Sequence, residues 1–240
     1  LLYGRLVTPA GNVAGEFPIG PRDQNELHPD VAFDGTSFLV VWQQQPFSGS
    51  SFSDTSIVAA RVSEAGAVLD PHGFVVSSTG KGSERPRVTF GGGQYLVAWA
   101  DGRNSENYME ALDIYGARVD INGVLLDGPA TTGGLRISGD RIPGTWYAEA
   151  VFTGSEFFVT WNAGAYTGIT EQSGIFGARV TASGTVNRGG SDYGIALSGE
   201  PAGGSFATYK YAMPVRLGAR HVVTWADNRD VKDVIVYSLE

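Results

Sequence analysis

Residues 95–99 read Tyr-Leu-Val-Ala-Trp, and closely similar stretches occur three more times in the chain. The other copies are Phe-Leu-Val-Val-Trp at 38–42, Phe-Phe-Val-Thr-Trp at 157–161 and His-Val-Val-Thr-Trp at 221–225. An apolar run and a Gly turn precede each stretch, and a further apolar run follows it. A repeat of about 60 residues with several strands in each copy indicates stacked or radially arranged β-units.

Each repeat predicts a four-stranded antiparallel meander. In the first copy, Val31–Phe33 and Phe38–Trp42 form two strands around Asp34-Gly35, because apolar runs of this length bounded by Gly are typical of hairpins. A third strand is expected at Ile57–Val62 and a fourth near Phe74–Val76. The later copies repeat the series, with first strands at 88–90, 150–152 and 215–217, third strands at 114–119, 175–180 and 234–237, and fourth strands at 135–137 and 195–197.

The sequence therefore predicts an all-β fold without helices. The second strands are apolar on both faces and need cover on both sides, which sheets packed face to face supply. We predict a β-propeller of four blades, each a four-stranded antiparallel meander. Residues 2–7 and 17–19 resemble the third and fourth strands of a repeat whose first two strands are missing. We therefore expect the N- and C-terminal strands to close the ring. This closure gives the last blade two candidates for its third strand, where only one is needed. The predicted repeats span about 28–84, 85–145, 146–211 and 212–240 plus 1–27, and together they form one domain, 1–240. The alternative is that the chain is an open piece of a longer array of repeats.

Charge and composition exclude several classes of function. The net charge is −8, and the 17 Lys and Arg residues are spread along the chain, so no nucleic-acid partner is expected. The chain has no Cys, which excludes disulfides and Cys-ligated metals. No apolar run approaches the roughly 18–20 residues of a membrane-spanning helix, so no membrane insertion is expected. We expect the protein to be secreted, periplasmic or at the cell surface.

The copy from 86 to 119 resembles the repeat of TolB-type propellers and of many secreted bacterial proteins. The residues that carry this resemblance are Pro86-Arg87-Val88, Phe90 with the Gly91–Gly93 turn, Tyr95–Trp99, Asp101-Gly102-Arg103 and Asp113-Ile114-Tyr115. The resemblance implies a propeller that makes protein contacts. The chain departs from it in its longer repeat, and in having Gln43–Gln45 and Asn162–Gly164 where Asp-x-Arg would stand.

The connections between strands point to a binding surface. The turns inside each hairpin are short and centred on Gly, whereas the other connections are long and differ in every copy. In a meander the long connections share one end of the sheets, where a scaffold usually places recognition. Aromatic residues among small polar ones suit a protein or glycan partner. The candidate binding residues are Phe47, Phe52, Tyr108, Trp146, Tyr166, Tyr209, Tyr211, Asp101, Arg103, Asp227 and Arg229.

Two Asp-x-Arg motifs invite a second interpretation. In Asp101/Arg103 and Asp227/Arg229, opposite charges lie two residues apart at a strand end. This spacing favours an ion pair that closes the loop, rather than a contact of these side chains with a ligand. The loop from Asp101 to Asp113 also offers the oxygen ligands that calcium prefers, without the regular spacing of a calcium loop. We expect no cofactor, with a cation such as calcium in this loop or in the channel as the alternative.

Three functions follow from these patterns. The main hypothesis is a non-catalytic recognition or scaffold propeller that binds an extracellular protein or glycan through its long connections, with no catalytic or metal-ligating residues. The alternative is a polysaccharide-active hydrolase or lyase with carboxylates around the central channel, and Asp30 and Glu149 are the candidates. A purely architectural segment of a large surface protein is the third.

Overall fold

A computed structural model describes residues 1–47, 54–105, 112–139, 145–163, 174–198, 210–218, 220–226 and 236–239. These residues form β-strands joined by turns, and the strand pairings are antiparallel. In these ranges no helix has the length and hydropathy to cross a bilayer. The all-β prediction is confirmed.

The described strands form an N-terminal hairpin and four meanders. The hairpin pairs β1 (Tyr3–Gly4) with β2 (Phe17–Pro18). The first meander contains β3 (Gln24–Phe33), β4 (Ser37–Pro46), β5 (Ser56–Ser63) and β6 (Phe74–Ser77). The second contains β7 (Ser83–Gly91), β8 (Gln94–Asp101), β9 (Asp113–Asp120) and β10 (Leu135–Arg136). The third contains β11 (Trp146–Phe152), β12 (Glu156–Ala163), β13 (Gly174–Thr181), β14 (Val186–Asn187) and β15 (Ile195–Ala196), and the fourth contains β16 (Lys210–Leu217), β17 (Arg220–Ala226) and β18 (Val236–Leu239).

Burial of both faces of the second strands explains how the meanders pack. Trp42, Trp99 and Trp161 are fully buried, and Trp225 is nearly so. Alternate residues of one strand enter different cores: Val97 and Trp99 face the first meander, whereas Leu96 and Ala98 face the third. A further core joins Phe158 and Ile175 of the third meander to Ala212, Val223 and Trp225 of the fourth. The meanders therefore stack face to face, as propeller blades do.

The first strands of consecutive meanders lie beside one another. β3 contacts β7, β7 contacts β11, and β11 contacts β16. In a radial arrangement, the strands that approach their neighbours in this way lie closest to the axis. Side chains of four different meanders can therefore share one site near β3, β7, β11 and β16.

The N-terminal hairpin covers the free face of the first meander. Leu2, Phe17 and Ile19 pack in one core with Val40 and Val62. The hairpin also contains the same turn that follows the third strand of the first and second meanders. An isolated bridge joins Val7 to Val13 in the hairpin, and equivalent bridges join Val62 to Val68 and Val119 to Leu125 in those meanders. Among the described pairings, β1 joins β2 and β18 joins β17, and neither hairpin strand pairs with the fourth meander. Closure of the ring by the terminal strands stays a prediction.

The first strands are longer than the sequence pattern predicts. Trp146 and Tyr211, which we placed in connections, lie within β11 and β16, and Gln43–Gln45 continue β4. A shift in the pairing register lets each first strand resume pairing beyond the apolar run: between Leu27 and Asp30, Glu84 and Arg87, Trp146 and Glu149, and Lys210 and Met213. An alternating-residue pattern does not reveal such a bulge, because the bulge inserts an extra residue into the alternation.

Shortening Phe17 tests whether the hairpin stabilises the first meander. We expect Phe17→Ala to lower the free energy of unfolding by about 2 kcal/mol, since it removes a partly buried ring from this core. Arg5→Gln is the control in the same hairpin, because it breaks only the exposed ion pair with Glu16 and should change stability by less than about 1 kcal/mol. Denaturant unfolding measures both variants, and equal effects would show that the hairpin is not part of the core.

Candidate functional site

A strained backbone recurs at one position in three consecutive first strands. His28, Arg85 and Tyr147 have φ angles of 51°, 51° and 54°, and they are the non-Gly residues with positive φ in the part of the chain that the structure describes. Each lies inside the bulge of its strand. Left-handed conformations cost a non-Gly residue about 1–3 kcal/mol, and such strain often accompanies functional sites. The three bulges re-aim the first strands at the place where these strands meet.

Two residues after each strained position, a charged side chain enters the same region. These residues are Asp30, Arg87 and Glu149. The Arg87 Nε donates to Glu149 Oε1 at 2.8 Å, which links the second and third meanders. The backbone N–H of Val88 donates to Asp30 Oδ2 at 2.9 Å, which links the first and second. Arg87 and Val88 thus connect two carboxyl groups from flanking meanders.

Glu84 adds a buried carboxyl group beside this row. Its side chain is 6% exposed, and its Oε1 has no hydrogen-bond partner among the described residues. The Arg85 Nε lies 3.9 Å from Glu84 Oε2, and its guanidinium lies over the Tyr147 ring, 4.7 Å from the centroid. Burial raises the pKa of Glu84, and the charge of Arg85 opposes that rise only in part.

Burial and neighbouring charges shift the pKa values of Glu149 and His28 in opposite directions. Burial raises the pKa of Glu149 and the Asp30 charge adds to the rise, whereas the hydrogen bond and charge of Arg87 oppose it. The pKa of His28 is lowered, first by burial and then by the positive charges of Arg85 and Arg87. A carboxyl group with a raised pKa close to a second carboxyl group is an arrangement that acid–base catalysis uses.

The predicted binding residues do not assemble into one described surface. Phe47 is exposed just after β4, and Trp146 and Tyr211 lie in first strands. Asp101 and Arg103 lie at the end of β8 and after it. The remaining candidates fall outside the described residues: Phe52, Tyr108, Tyr166, Tyr209, Asp227 and Arg229.

Asp101 and Arg103 form the ion pair that closes a loop. Asp101 is fully buried, and it accepts hydrogen bonds from both Arg103 Nε and NH2, at 2.9 and 2.8 Å. Trp99 Nε1 donates to the same carboxylate at 2.7 Å, and Arg103 NH1 donates to the Gly133 carbonyl. These contacts tie the end of β8 to the turn before β10, so both side chains are engaged inside the protein.

The acidic loop that could suit calcium is only partly described. Asp113 accepts hydrogen bonds from Asn104 Nδ2 at 2.8 Å and from Arg136 NH2 at 3.0 Å. Glu106, Asn107 and Glu110 lie outside the described residues. Within the described ranges, no three Asp, Glu, His or Cys side chains cluster as metal ligands would.

Sequence reasoning found Asp30 and Glu149 but missed their partners. It placed Arg85 in one of the variable connections of the predicted binding face, assigned no role to Glu84 or Tyr147, and used Arg87 only as part of a repeat motif. A signal existed in the parallel between His28-Pro29-Asp30 and Arg85-Pro86-Arg87, which places charged or titratable residues at equivalent positions of two repeats. The contacts between these side chains depend on the bulges, which the sequence pattern does not show.

Comparison with known proteins supports the fold. No protein-family model matches the sequence, and comparison with curated proteins gives no match. An α-L-arabinofuranosidase from Lactobacillus brevis has a TM-score of 0.53 at 12% identity, over 85% of this chain and 64% of that one. For the Penicillium chrysogenum α-L-arabinanase complexed with arabinobiose, the TM-score is 0.55 at 11% identity, over 92% and 69% of the two chains. For Zg3597, a family 117 glycoside hydrolase from Zobellia galactanivorans, it is 0.51 at 12% identity, over 99% and 73%.

At these identities the likeness is one of fold, and it supports the predicted β-propeller. The chain spans less than two thirds of the length of the arabinofuranosidase. The resemblance to TolB-type repeats stays a prediction.

The main functional hypothesis is corrected by these comparisons. We expected a non-catalytic recognition or scaffold propeller, whereas four solved proteins of similar fold are glycan-active enzymes by their descriptions. They favour the alternative, a polysaccharide-active enzyme. The physical reason for the error is that we assigned function to the variable connections and overlooked most of the charged cluster on the first strands.

The loop-closing ion pair predicts a large loss of stability when it is broken. We expect Asp101→Ala to lower the free energy of unfolding by about 3–5 kcal/mol, because Arg103 is left without its buried counter-charge. A double-mutant cycle with Arg103→Gln should give a coupling energy above about 1 kcal/mol. The half-exposed pair of Arg179 and Glu156 is the control, with a coupling below about 1 kcal/mol; equal couplings would contradict the interpretation.

Glu84 predicts a pH-dependent gain of stability on substitution. Because burial raises the pKa of Glu84 in the folded state, ionisation in the unfolded state destabilises the fold as pH rises through the ordinary pKa of Glu. We expect Glu84→Gln to raise the melting temperature at pH 7, and the gain to shrink towards pH 4. The exposed Glu64→Gln is the control and should have little effect at either pH. A gain that does not depend on pH would show that ionisation of Glu84 is not its cause.

Proposed function

We propose that this protein is a glycan-active hydrolase whose active site lies where β3, β7 and β11 meet. The observation that carries the proposal is the recurrence of one strained bulge in three consecutive first strands, which brings Asp30, Arg87 and Glu149 together. A structural scaffold has no need for strain at this one position in three consecutive sheets. Backbone strain that recurs where three strands meet is expected if an active site lies there, because strained residues cluster at active sites.

The environments of the two carboxyl groups assign their roles. Glu149 is the general acid, because burial raises its pKa and favours the protonated form that donates to a leaving oxygen. Asp30 accepts a hydrogen bond from the backbone N–H of Val88, and we assign it as the carboxylate that activates water or attacks the sugar. Arg87 contacts Glu149 and tempers the rise in its pKa.

The similar folds support a sugar substrate. The Lactobacillus brevis protein is described as an α-L-arabinofuranosidase and the Penicillium chrysogenum protein as an α-L-arabinanase, and these descriptions apply to those proteins. For this chain, the proposal extends only to a glycan with a glycosidic bond that Glu149 and Asp30 can reach. Because polysaccharides lie outside most cells, a secreted, periplasmic or cell-surface location is part of the proposal.

For the ring around the site, we retain the proposal of four blades closed through the chain termini. Its support is the N-terminal hairpin on the free face of the first meander, the side on which the last blade of a closed ring lies. Such closure gives the site a continuous wall.

Substitution of the two carboxylates tests the function. We expect Glu149→Gln and Asp30→Asn each to lower kcat about 10²–10⁴-fold, since each removes one acid–base partner without changing side-chain volume. The measurement is release of reducing sugar from a polysaccharide panel, with products separated by anion-exchange chromatography. Arg179→Gln on β13 is the control, and it should retain the activity of the unmodified protein.

Two outcomes contradict the proposal. Full activity in both carboxylate variants would place the chemistry elsewhere. An absence of cleavage and of binding across neutral, acidic and sulfated glycans would argue against a glycan-active enzyme.

A further inference from the structure

The two carboxyl groups of the candidate site differ in the backbone that each of them faces. We propose that Pro214 is a positioning residue for the reaction: because it has no N–H, it leaves the carboxyl group of Glu149 without the kind of backbone donor that Asp30 has. This inference rests on the proposed function, and it concerns the same site.

The strand register makes Pro214 the counterpart of Val88. In each first strand, pairing with the second strand resumes after the bulge at one residue: Asp30 opposite Val41, Arg87 opposite Ala98, Glu149 opposite Thr160 and Met213 opposite Thr224. Asp30 and Glu149 therefore occupy the same position of the repeat. The residue after that position is Val88 in β7 and Pro214 in β16, and these are the first strands next to β3 and β11, respectively.

Both carboxyl side chains project towards the meander that follows their own. Val41, opposite Asp30, packs in the core between the first and second meanders. Thr160, opposite Glu149, donates a hydrogen bond to the Ala212 carbonyl of β16 at 2.7 Å. Directly opposite residues of an antiparallel pair project from the same face of the sheet. Asp30 therefore faces β7, and Glu149 faces β16.

A backbone donor is present on β7 and missing at the equivalent place on β16. The N–H of Val88 donates to Asp30 Oδ2 at 2.9 Å, whereas the nitrogen of Pro214 is part of its ring and carries no hydrogen. Among the described residues, the one hydrogen bond to the Glu149 carboxyl group comes from Arg87 Nε, at 2.8 Å. Because accepting backbone N–H bonds favours the ionised form of a carboxyl group, the missing donor favours the protonated Glu149 that the proposed reaction needs.

The charges around Glu149 are independent of Pro214. The charged residues of the neighbouring first strands and of β12 are Asp30, Arg87, Glu156, Lys210 and Arg216. Burial raises the pKa of Glu149, Arg87 opposes the rise, and Asp30 adds to it. Glu156 and Arg216 lie beside the hairpin turns at the other ends of β12 and β16. A substitution of Pro214 therefore changes the backbone beside Glu149 and removes none of these charges.

The test restores the missing N–H and measures the Glu149 carboxyl group directly. The side-chain carboxyl carbons of glutamate are labelled with carbon-13, and the signal that is lost in Glu149→Gln is titrated by NMR in the full chain. We expect Pro214→Ala to lower the pKa of Glu149 by about one unit, which is the size of a net hydrogen bond to a charged group. Since β16 is at the edge of its sheet, where Pro is tolerated, the substitution should leave the strand pairing intact.

Two further variants separate the N–H from a change of packing. Val215→Ala shortens an exposed side chain on the same strand and adds no N–H, so it should leave the pKa of Glu149 unchanged. Pro214→Val adds the same N–H with a side chain that suits a strand, and it should shift the pKa as Pro214→Ala does. Melting curves show which variants are folded; if Pro214→Ala does not fold, Pro214→Val decides.

The pH dependence of cleavage connects this shift to the reaction. With a glycan that the unmodified protein cleaves, Pro214→Ala should move the high-pH limb of kcat/KM to lower pH by the same amount, because this limb reports the acid of the free enzyme. A lowered pKa with a pH profile that stays in place overturns the role of Pro214 in the reaction.

The remaining outcomes separate this inference from the proposed function. An unchanged pKa of Glu149 in Pro214→Ala, or an equal shift in Val215→Ala, overturns the inference and leaves the hydrolase, which Glu149→Gln and Asp30→Asn test. A lowered pKa in a protein that cleaves no glycan confirms the missing donor and overturns the hydrolase.

Discussion

The fold depends on the burial of both faces of the second strands. An antiparallel sheet can leave one face in water, but a strand such as β8 is apolar at every position from Tyr95 to Ala100. Its alternate side chains enter two different cores, so each meander needs a neighbour on either side. The same stacking sets the first strands next to one another. The site follows from this constraint, because side chains from β3, β7 and β11 reach one another only when the meanders are stacked.

The charged cluster is less stable than an apolar one of similar volume would be. Glu84 has one carboxyl oxygen without a described hydrogen bond, and three residues have left-handed backbones. Burying a carboxyl group in this way costs free energy unless it is paired. The tightly packed cores between the meanders offset that cost, and proteins commonly concentrate such local conflicts at functional sites. The distribution of strain thus agrees with the position of the proposed active site.

The sequence predicts the second and third strands well, because their apolar runs and Gly turns are local signals. Ile57–Val62 and Ile175–Val180, for example, lie within β5 and β13. The sequence predicts the first strands poorly at their beginnings, since the bulge at His28, Arg85 and Tyr147 interrupts the alternation. It also suggested Asp30 and Glu149 without their partners. Arg87 is 62 residues from Glu149 along the chain, and only the stacking of two meanders brings their side chains together.

Two Asp/Glu–Arg pairs of the second meander show why residue type alone does not define a site. Asp101 and Arg103 satisfy each other with bidentate geometry, and Trp99 Nε1 completes the buried network. Such a network stabilises a loop and has no capacity left for a ligand. Glu84 and Arg85 are instead separated by 3.9 Å, on a strained strand beside an aromatic ring. The buried Glu84 Oε1, which has no hydrogen-bond partner among the described residues, leaves interaction energy that a substrate can use, and a closed ion pair does not. The chemistry of this protein is therefore to be sought among the first strands and not at the Asp-x-Arg motif that stands out in its sequence.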